Sequence, residues 1–252
     1  MWQKNKGTAT VTLNRPEARN ALTPLLLSEL LRVFEALHRE KAIRTVFLKG
    51  AGKDFCAGLD LKHISGVLEG KPDSLHTDII AFGATFYDLI ENLDKPVIAA
   101  VHGNVITGGF ILAYFCDLII ATEDARFGDT HATWGFVPGW QEPQRLARSI
   151  GIRRAKQFFL TNELVSAHEA QKVGLVWKVV PVGKLDDAID EWGTKLGKLS
   201  SISLGMIKQQ LKSVMKTDWQ TMIEIDLLMR KDLLGGFCTA DAQERLKGFV
   251  NR

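Results

Sequence analysis

The chain repeats short apolar runs that predict β-strands, separated by longer stretches with helical periodicity. Thr8–Leu13 alternates apolar and polar residues in steps of two, as a half-buried strand does. Four further runs have the continuous apolar character of buried strands, and they are residues 43–48, 95–101, 118–121 and 174–181. Strands that alternate with helices along a chain are typical of α/β architecture, which is the fold class that we expect.

Helical periodicity is clearest after Thr23 and Pro24, which have the residue types of an N-cap and a first helical position. The apolar stripe of this helix consists of Leu26, Leu27, Leu30, Leu31, Phe34 and Leu37. The pattern predicts further helices over residues 79–93 and 110–115, and a helical region from Leu185 onward.

Short polar and glycine-containing segments separate these elements. Ser166 and Glu169 have the spacing of a capping box before a short helix, and Thr239 is the predicted N-cap of a last helix. Residues 64–76 mix polar, apolar and glycine positions and are predicted to form a loop. Residues 103–109 are predicted to form a turn.

The composition is that of an ordinary globular protein and excludes several functional classes. The sequence has 252 residues, of which 46% are hydrophobic and 24% charged, with a formal net charge of +3 at pH 7. These values exclude a disordered chain, a collagen and a membrane protein, and the charge is too small to indicate nucleic-acid binding. Cys56, Cys116 and Cys238 form no CxxC pair, so we expect buried thiols in a reducing compartment. The sequence carries no recognisable targeting segment, and a cytoplasmic location is therefore expected.

Several common catalytic and metal-binding motifs are missing from the sequence. It contains no GxGxxG after a strand, no GxSxG, and no histidines at HxH or HExxH spacing. We therefore expect neither a dinucleotide-binding turn nor a serine hydrolase of the GxSxG type. A metal site is not expected either, because the six histidines are isolated from one another along the chain.

Two glycine turns are candidate functional segments. Residues 55–62 follow a predicted strand and a glycine-rich turn, and residues 103–109 connect a buried strand to a buried helix. A Gly-Gly pair at the start of a helix leaves backbone N–H groups without intrahelical partners, and such groups bind anions or a developing oxyanion. Taken alone, each turn is better explained by a change of chain direction, which is the common use of glycines after strands.

Four segments, in the same order along the chain, resemble signatures of the crotonase superfamily, the enoyl-CoA hydratase/isomerase family. Residues 13–22, with the sequence LNRPEARNAL, resemble the opening signature of that family. Residues 52–62 are similar to its first oxyanion loop and residues 95–117 to its second. Residues 160–176 resemble its downstream signature. The resemblance covers essentially the whole chain.

The resemblance implies a spiral core of repeated ββα turns with two roughly perpendicular sheets, formed by residues 1–190. Residues 191–252 would form a C-terminal helical segment that packs on neighbouring subunits, giving a homotrimer or a dimer of trimers. The implied substrate is an acyl-CoA thioester, as in fatty acid metabolism, with CoA as part of the substrate. No separate cofactor, metal, nucleic acid or membrane partner is implied.

By the same resemblance, the backbone N–H groups of Leu59 and Gly108 form an oxyanion hole. Two such donors stabilise the oxyanion of an enolate, and the removal of one donor commonly costs about 3–4 kcal/mol of transition-state stabilisation. Residues of two segments would line the path of CoA. They are Ala18, Arg19, Ala57, Asp60 and Leu61.

The sequence departs from the family pattern at both glutamates that family hydratases use to add water. Ile111 occupies the position of the first, two residues after the second glycine of the helix-opening pair. His131 occupies the position of the second, shortly after Phe127 and Gly128. Ile111 cannot transfer a proton and would only line the substrate pocket, whereas an imidazole can transfer protons near neutral pH.

Other residues near His131 could complete such a site. Asp129 could orient the imidazole, or it could only cap a turn. Glu142 could supply a missing carboxylate at the acyl pocket, although a place in the first turn of a helix is the more common explanation for such a glutamate. Trp134 and Trp140 could form walls of the substrate pocket or belong to the core.

These residues leave three hypotheses open. The first is enolate chemistry on an acyl-CoA, by a decarboxylase, C–C hydrolase or isomerase with His131 as general acid/base, aided by Asp129. The second is an enoyl-CoA hydratase that uses Glu142 or Asp129 in place of the family glutamates. The third is an acyl-CoA-binding module without catalytic activity, and it is suggested by the isoleucine at position 111 in place of a glutamate.

Overall fold

The protein is built on two sheets, one of six strands and one of three. A computed structural model describes residues 2–68 and 75–214, together with single helical residues between 220 and 247. The strands in these ranges are β1 (Trp2–Asn5), β2 (Thr8–Leu13), β3 (Thr45–Gly50), β4 (Val97–Val101), β5 (Asn104–Ile106), β6 (Leu118–Thr122), β7 (Arg126–Gly128), β8 (Val165–Ser166) and β9 (Lys178–Val180). The larger sheet has the order β1-β2-β3-β4-β6-β9, and the smaller sheet has the order β5-β7-β8.

Helices connect the strands and cover the sheets. Those of the described residues are α1 (Pro24–Arg39), α2 (Leu61–Leu68), α3 (Leu75–Asn92), α4 (Gly108–Phe115), α5 (Glu142–Ile150), α6 (Ile152–Thr161), α7 (Ala167–Lys172), α8 (Leu185–Gly197) and α9 (Ser201–Val214). Two short 3-10 turns, Pro16–Ala18 and His131–Trp134, follow β2 and β7. Crossover helices are expected here, because parallel strands cannot be joined by a tight hairpin.

Parallel pairing brings the ends of several strands to one edge. β1 pairs antiparallel with β2, but the other neighbours in the larger sheet are parallel. In the smaller sheet β5 and β7 are also parallel, with Ile106 opposite Gly128. In open α/β sheets, ligands bind outside the carboxyl ends of the strands. The loops after β3, β5 and β7 are therefore the first place to look for a site.

The central strands are buried on both faces, which explains their continuous apolar sequences. Phe47, Ile98 and Ile120 face one side of the sheet, where they pack with residues of α8. Their neighbours Leu48 and Ala99 face the other side and join the main core with α1, α3 and α4. Successive residues of these strands thus alternate between two apolar clusters.

The predicted α/β fold class and most predicted elements are confirmed. Thr23 is the N-cap of α1, and its hydroxyl accepts the N–H of Leu26 at 3.3 Å. Ser166 and Glu169 form both hydrogen bonds of the capping box before α7. These signals are local in sequence, so they can be predicted without knowledge of the tertiary structure.

The loop predicted over residues 64–76 is wrong in its first part, because α2 continues to residue 68. Asp60 caps this helix: its Oδ1 accepts the N–H of Lys62 at 3.2 Å, and its carbonyl oxygen accepts that of His63 at 3.0 Å. Residues 69–74 lie outside the described residues. The predicted turn over residues 103–109 contains β5, whose pairing with β7 could not be inferred from so short a segment.

The start of the C-terminal helical region is confirmed by α8 and α9. The boundary predicted after residue 190 falls inside α8, and Leu185 and Ile189 of this helix are buried against the sheet. Thr239 and the last predicted helix lie outside the described residues, as does Cys238. Cys56 and Cys116 are buried free thiols, as expected. In the described part of the chain, no helix combines the length and the apolar character that crossing a membrane requires.

Candidate active site

Asn20 fastens the loop before α1 to the loop after β3. Its side chain is fully buried, and Nδ2 donates to the carbonyl oxygens of Ala51, Asp54 and Phe55 at 2.8, 2.8 and 3.1 Å. Its Oδ1 accepts the N–H of Arg15 at 2.9 Å. Sequence reasoning gave Asn20 no function, because it stands among other polar residues in segment 13–22 and nothing in the sequence distinguishes it as a brace.

The loop after β3 runs parallel to β5. Cys56 donates its N–H to the carbonyl oxygen of Asn104 at 3.1 Å and accepts the N–H of Ile106 at 3.0 Å. Gly58 then packs against Thr107 so closely that a Cβ on Gly58, where φ is 93°, would overlap the Thr107 hydroxyl. Only glycine satisfies both the left-handed φ and this close approach. The two glycine turns of the sequence are therefore in direct contact.

The backbone nitrogen of Leu59 lies close to the start of α4. Leu22 donates its N–H to the carbonyl oxygen of Gly58 at 2.8 Å and accepts the N–H of Asp60 at 3.0 Å. In such a parallel bridge the intervening residue, Leu59, directs its own N–H away from Leu22. A Cβ on Gly108 would lie 3.6 Å from the Leu59 nitrogen. Because the first N–H groups of a helix have no intrahelical partner, the structure brings together two backbone donors.

Asp129 and His131 form a hydrogen-bonded pair directly after β7. Nδ1 of His131 lies 2.5 Å from Oδ2 of Asp129, and the backbone N–H of His131 donates to Oδ1 at 3.2 Å. Asp129 therefore both orients the imidazole and caps a turn, which were the two alternatives from the sequence. A carboxylate can only accept, so Nδ1 carries a proton and the lone pair is on Nε2.

The segment that carries this pair is hydrogen bonded to the residue that precedes α4. Thr107, which precedes Gly108, donates its N–H to the carbonyl oxygen of Gly128 at 2.9 Å. Gly128 in turn precedes Asp129. The Asp129 side chain is 1% exposed and that of His131 is 13% exposed, so the pair is almost completely removed from solvent. A base in such an environment can act on a molecule held by the adjacent N–H groups.

Glu142 belongs to the same site, although it is the first residue of α5. One of its carboxyl oxygens lies within 4.8 Å of a ligand atom of Asp129 and one of His131. The residue is fully buried, and neither carboxyl oxygen has a hydrogen-bond partner among the described residues. Burial, and secondarily the negative charge of Asp129, raise the pKa of Glu142 well above its usual range. Burial therefore favours the neutral, protonated form of this carboxyl group.

The three side chains include ligand types that bind metals, a possibility that isolated histidines did not predict. The distance of 2.5 Å between Nδ1 of His131 and Oδ2 of Asp129 is that of a short hydrogen bond. Two ligand atoms on one tetrahedral Zn²⁺ ion lie about 3.3 Å apart, given metal–ligand bonds of about 2.0 Å. As arranged, the group suits proton transfer better than metal binding.

The predicted pocket residues have different environments. Ile111 is buried in the first turn of α4 and is 2% exposed. Trp140 packs against Phe82 of α3, with ring centroids 5.6 Å apart, so it belongs at least partly to the core. Trp134, at the end of the 3-10 turn that carries His131, is 58% exposed.

The predicted CoA-path residues occupy two neighbouring segments. Ala57 donates its N–H to the carbonyl oxygen of Arg19 at 3.0 Å, which joins the segments directly. The Arg19 side chain is 70% exposed, with Nε 3.8 Å from Oδ2 of Asp54. Ala18 and Ala57 are half-buried, and Leu61 is exposed.

Asp60 was also predicted to line the CoA path, but its side chain binds other groups of the protein. Its Oδ2 lies 3.2 Å from both terminal nitrogens of Arg15, and its Oδ1 caps α2. Nη1 of Arg15 also donates to the carbonyl oxygen of Ala21 at 2.6 Å. The Asp60 carboxylate thus holds the loop before α1 against α2.

Comparison with known proteins agrees with this geometry. Residues 3–252 match the family model described as enoyl-CoA hydratase/isomerase. The chain belongs to the enoyl-CoA hydratase/isomerase family. A Dictyostelium discoideum relative, named probable enoyl-CoA hydratase, mitochondrial, is 34% identical over 250 residues, which are 99% of this chain and 87% of the relative. The short-chain-enoyl-CoA hydratase of Clostridium acetobutylicum is 33% identical over 254 residues, covering 99% of this chain and 94% of that protein.

Solved structures support the same assignment. The crystal structure of an enoyl-CoA hydratase from Bacillus anthracis superposes with a TM-score of 0.91 and 32% identity, covering 100% of this chain and 95% of that one. This confirms the crotonase fold, with its sheets and C-terminal helices. As a member of the enoyl-CoA hydratase/isomerase family, the protein is an enzyme of acyl-CoA metabolism.

Proposed function

We propose that the protein processes an acyl-CoA thioester through an enolate whose oxyanion is held by the N–H groups of Leu59 and Gly108. The proximity of the Leu59 nitrogen to Gly108, at the start of a helix, supports this proposal. Negative charge on the thioester oxygen would be stabilised by two fixed donors and by the positive end of the α4 dipole. The acidity of the α-carbon would rise accordingly.

The observation that carries the proposal is the hydrogen bond between His131 and Asp129 beside these donors. Asp129 holds the imidazole in the tautomer that has its lone pair on Nε2 and stabilises the imidazolium formed when a proton is taken up. His131 is then the general acid/base of the reaction. Because the His131 side chain is mostly buried, its electrostatic interactions with the substrate would be stronger than in bulk water.

Ile111 supports a reaction other than the family's hydration by two glutamates. Its side chain is apolar and buried where the resemblance implies the first glutamate, and His131 replaces the second. Reactions that pass through a stabilised enolate and do not need both family glutamates are decarboxylation, C–C bond hydrolysis and double-bond shift. These remain the first candidates.

The second candidate is hydration of a 2-enoyl-CoA with an unusual acid/base set. The observation in its favour is the buried carboxyl group of Glu142, within 4.8 Å of ligand atoms of Asp129 and His131. Relatives from Dictyostelium discoideum and Clostridium acetobutylicum are named as hydratases, which also favours this reaction.

CoA would extend from the oxyanion hole over Ala57 and Leu61 on one side and Ala18 and Arg19 on the other. These segments are joined and partly exposed, as a binding path for an extended ligand requires. The exposed guanidinium of Arg19 suits a phosphate group. Asp60 would act by bracing the path, through its ion pair with Arg15, rather than by touching the ligand.

We also infer that residues 191–252 mediate assembly into a trimer or a dimer of trimers. Helix α9 exposes four large apolar side chains, which are unusual on a free surface. They are Ile202, Ile207, Leu211 and Val214. Light scattering on the purified protein tests this proposal, and a monomer at micromolar concentration would contradict it.

The function is tested by incubating the protein with a panel of CoA thioesters and recording the product masses, with ultraviolet absorbance of the conjugated 2-enoyl thioester to detect a double-bond shift, which leaves the mass unchanged. The panel contains 2-enoyl, 3-enoyl, malonyl-type and 3-oxoacyl thioesters. Turnover should be lost with His131→Gln and kept with His168→Gln, because His168 is exposed on α7, away from the pair. Loss of carbon dioxide or chain cleavage would support the first candidate, and a gain of one water without cleavage would support the second.

Two results would contradict the proposal. Full turnover by His131→Gln would exclude the imidazole as acid/base. Tight CoA-thioester binding without turnover on any panel member would favour the third hypothesis, a binding module without catalysis. The location of the protein in the cytoplasm stays a prediction.

A further inference from the structure

Glu142 is the buried titratable group that the proposed enolate chemistry does not yet use. Its carboxyl group is fully buried and has no hydrogen-bond partner among the described residues. Burying an unpaired polar group destabilises a protein, and burying a charged one destabilises it more. A buried, perturbed carboxyl group beside a histidine–carboxylate pair therefore points to a function other than stability.

The backbone before Glu142 is strained. Trp140 and Gln141 have φ values of 54° and 56°, so two consecutive non-glycine residues are left-handed. In this conformation the Cβ atom lies too close to the following carbonyl oxygen, so each such residue destabilises the fold. The conformation is held by Trp140, whose ring lies on Gly83 and beside Phe82 of α3. The strained turn and its aromatic anchor direct Glu142 into the interior, since α5 begins at this residue.

We propose that Glu142 is a second catalytic residue, which protonates the α-carbon of the enolate while His131, held by Asp129, removes a proton from water. The inference rests on the proposed function, because it needs a thioester bound at Leu59 and Gly108. It extends that function by assigning the reaction to a class: water is added at the β-carbon of the acyl chain.

The proposed steps balance in atoms and charge. Nε2 of His131 takes a proton from water as the water oxygen forms a bond to the β-carbon. In a 2-enoyl chain, the π electrons of the C=C bond move into the thioester and give the enolate. In a 3-oxoacyl chain, the π electrons of the β-carbonyl first move to its oxygen; they re-form the carbonyl as the bond between α- and β-carbons breaks, and the electrons of that bond give the enolate. The enolate then forms a C–H bond at the α-carbon with the proton of Glu142. The imidazolium returns a proton to the Glu142 carboxylate, so both groups are reset and one water is consumed.

The presence of an acid and a separate base distinguishes this class from the alternatives. Decarboxylation produces its enolate without activating water, so it needs only a proton donor. A double-bond shift moves one proton, which a single group can carry. Addition of water needs a group that accepts a proton from water and a group that supplies one to carbon. In the proposed mechanism His131, held by Asp129, is the base and Glu142 is the acid. One ligand atom of each of the three residues lies within 4.8 Å of those of the other two.

The test compares wild type, Glu142→Gln, Glu142→Asp and the surface control Glu163→Gln. Glu163 is exposed between α6 and β8. The probes are 2-butenoyl-CoA and 3-oxobutanoyl-CoA for turnover, and butanoyl-CoA for binding by calorimetry. We expect kcat of Glu142→Gln to fall by about 10²- to 10⁴-fold, the usual contribution of general acid catalysis. Binding of butanoyl-CoA should change little, and Glu142→Asp should recover part of the lost turnover.

Glutamine is neutral and similar in shape to a protonated glutamate, so this variant should fold, which thermal unfolding verifies. If Glu142→Gln keeps wild-type kcat while His131→Gln loses it, the assignment of Glu142 is wrong and the proposed function stands. If wild type adds no water to either probe but decarboxylates or isomerises another thioester, the assigned class is likewise wrong. If wild type binds no thioester, the proposed function fails together with this inference.

Discussion

Nδ1 of His131 donates to Oδ2 of Asp129 at 2.5 Å, and the same carboxylate accepts the backbone N–H of His131 through its other oxygen. One side chain thereby fixes both the ring and the turn that carries it. The pair extends over only three residues, so it needs no distant part of the chain to form. Its proposed catalytic role depends on its location: Gly128, just before the pair, accepts the N–H of Thr107, which precedes the proposed oxyanion donor Gly108.

Replacing Asp129 with asparagine should lower turnover while leaving thioester binding intact. An amide can donate to Nδ1, which favours the tautomer with its proton on Nε2, and that tautomer cannot act as the base. We expect kcat to fall by at least about 10²-fold, with Kd for butanoyl-CoA nearly unchanged. Asp190→Asn, on the exposed side of α8, is the matched control. A wild-type rate for Asp129→Asn would mean that the tautomer of His131 does not matter.

Alanine at Gly108 and at Gly109 should affect different properties. A Cβ on Gly108 would stand 3.1 Å from Cδ1 of Leu22 and 3.6 Å from the Leu59 nitrogen. This is the space that the proposed function assigns to the thioester oxygen. Gly108→Ala should therefore lower kcat by about 10²- to 10³-fold, as loss of an oxyanion donor does, with little change in stability.

Gly109→Ala should instead destabilise the fold. A Cβ there would meet the backbone of Cys56 and would lie 2.7 Å from the Cys56 Cβ, and the backbone cannot move away easily. Kinetics and thermal unfolding of both variants separate the two effects. If Gly108→Ala melted earlier than Gly109→Ala and kept its activity, the placement of the oxyanion hole would be wrong.

The stability gained by replacing Glu142 with glutamine should depend on pH. The unfolded chain releases the Glu142 proton near the ordinary pKa of 4.5, whereas the folded protein retains it because burial raises this pKa. The folded state then binds more protons, and stability falls as pH rises from about 4.5 toward the raised pKa. Glutamine cannot ionise and escapes this loss.

Urea unfolding at several pH values between 4 and 8 checks this expectation. Glu142→Gln should have nearly the wild-type free energy of unfolding at the acidic end and should exceed wild type increasingly as the pH rises. Glu163→Gln, whose side chain is exposed, should show no such trend. If the difference in free energy of unfolding between Glu142→Gln and wild type stayed constant from pH 4 to 8, Glu142 would have the same pKa in the folded and unfolded states.

Asn20 should be required for the site to hold together. Asn20→Ala removes the donor to three backbone carbonyl oxygens, and we expect a loss of about 2–4 kcal/mol in the free energy of unfolding. Asn20→Asp should be at least as harmful, because carboxylate oxygens cannot donate to carbonyl groups. Asn14→Ala, at an exposed position of the same segment, is the control. Equal stability of wild type and Asn20→Asp would contradict the proposed brace.

Elements that depend on local signals could be predicted from the sequence. The N-cap Thr23 and the capping box of Ser166 and Glu169 are each formed within four residues, and the structure has them as expected. The buried strands were predictable because both faces of the sheet are covered, which makes their sequences apolar throughout. The strands β1, β5 and β7 were not predicted, since three or four residues carry too little periodicity and gain their order from pairing.

The candidate site could be predicted only in part, because some of its contacts join residues that are distant in the sequence. Asp129 and His131 are two residues apart, so their pairing could be proposed from spacing. Glu142 joins them through the turn at Trp140 and Gln141, whose left-handed backbone no sequence rule for non-glycine residues predicts. Asn20 acts on carbonyl groups more than thirty residues away, and such contacts leave no periodic signal in the sequence.

Gly83 has no side chain at the point where the ring of Trp140 crosses α3, and any Cβ there would overlap that ring. The two positions therefore constrain each other across 57 residues of sequence. A relative with a larger residue at the first position must carry a smaller one at the second, or else the turn that leads to the following glutamate must take another course. Sequence pairs at these two positions could thus sort family members by whether they can place a carboxyl group where Glu142 stands.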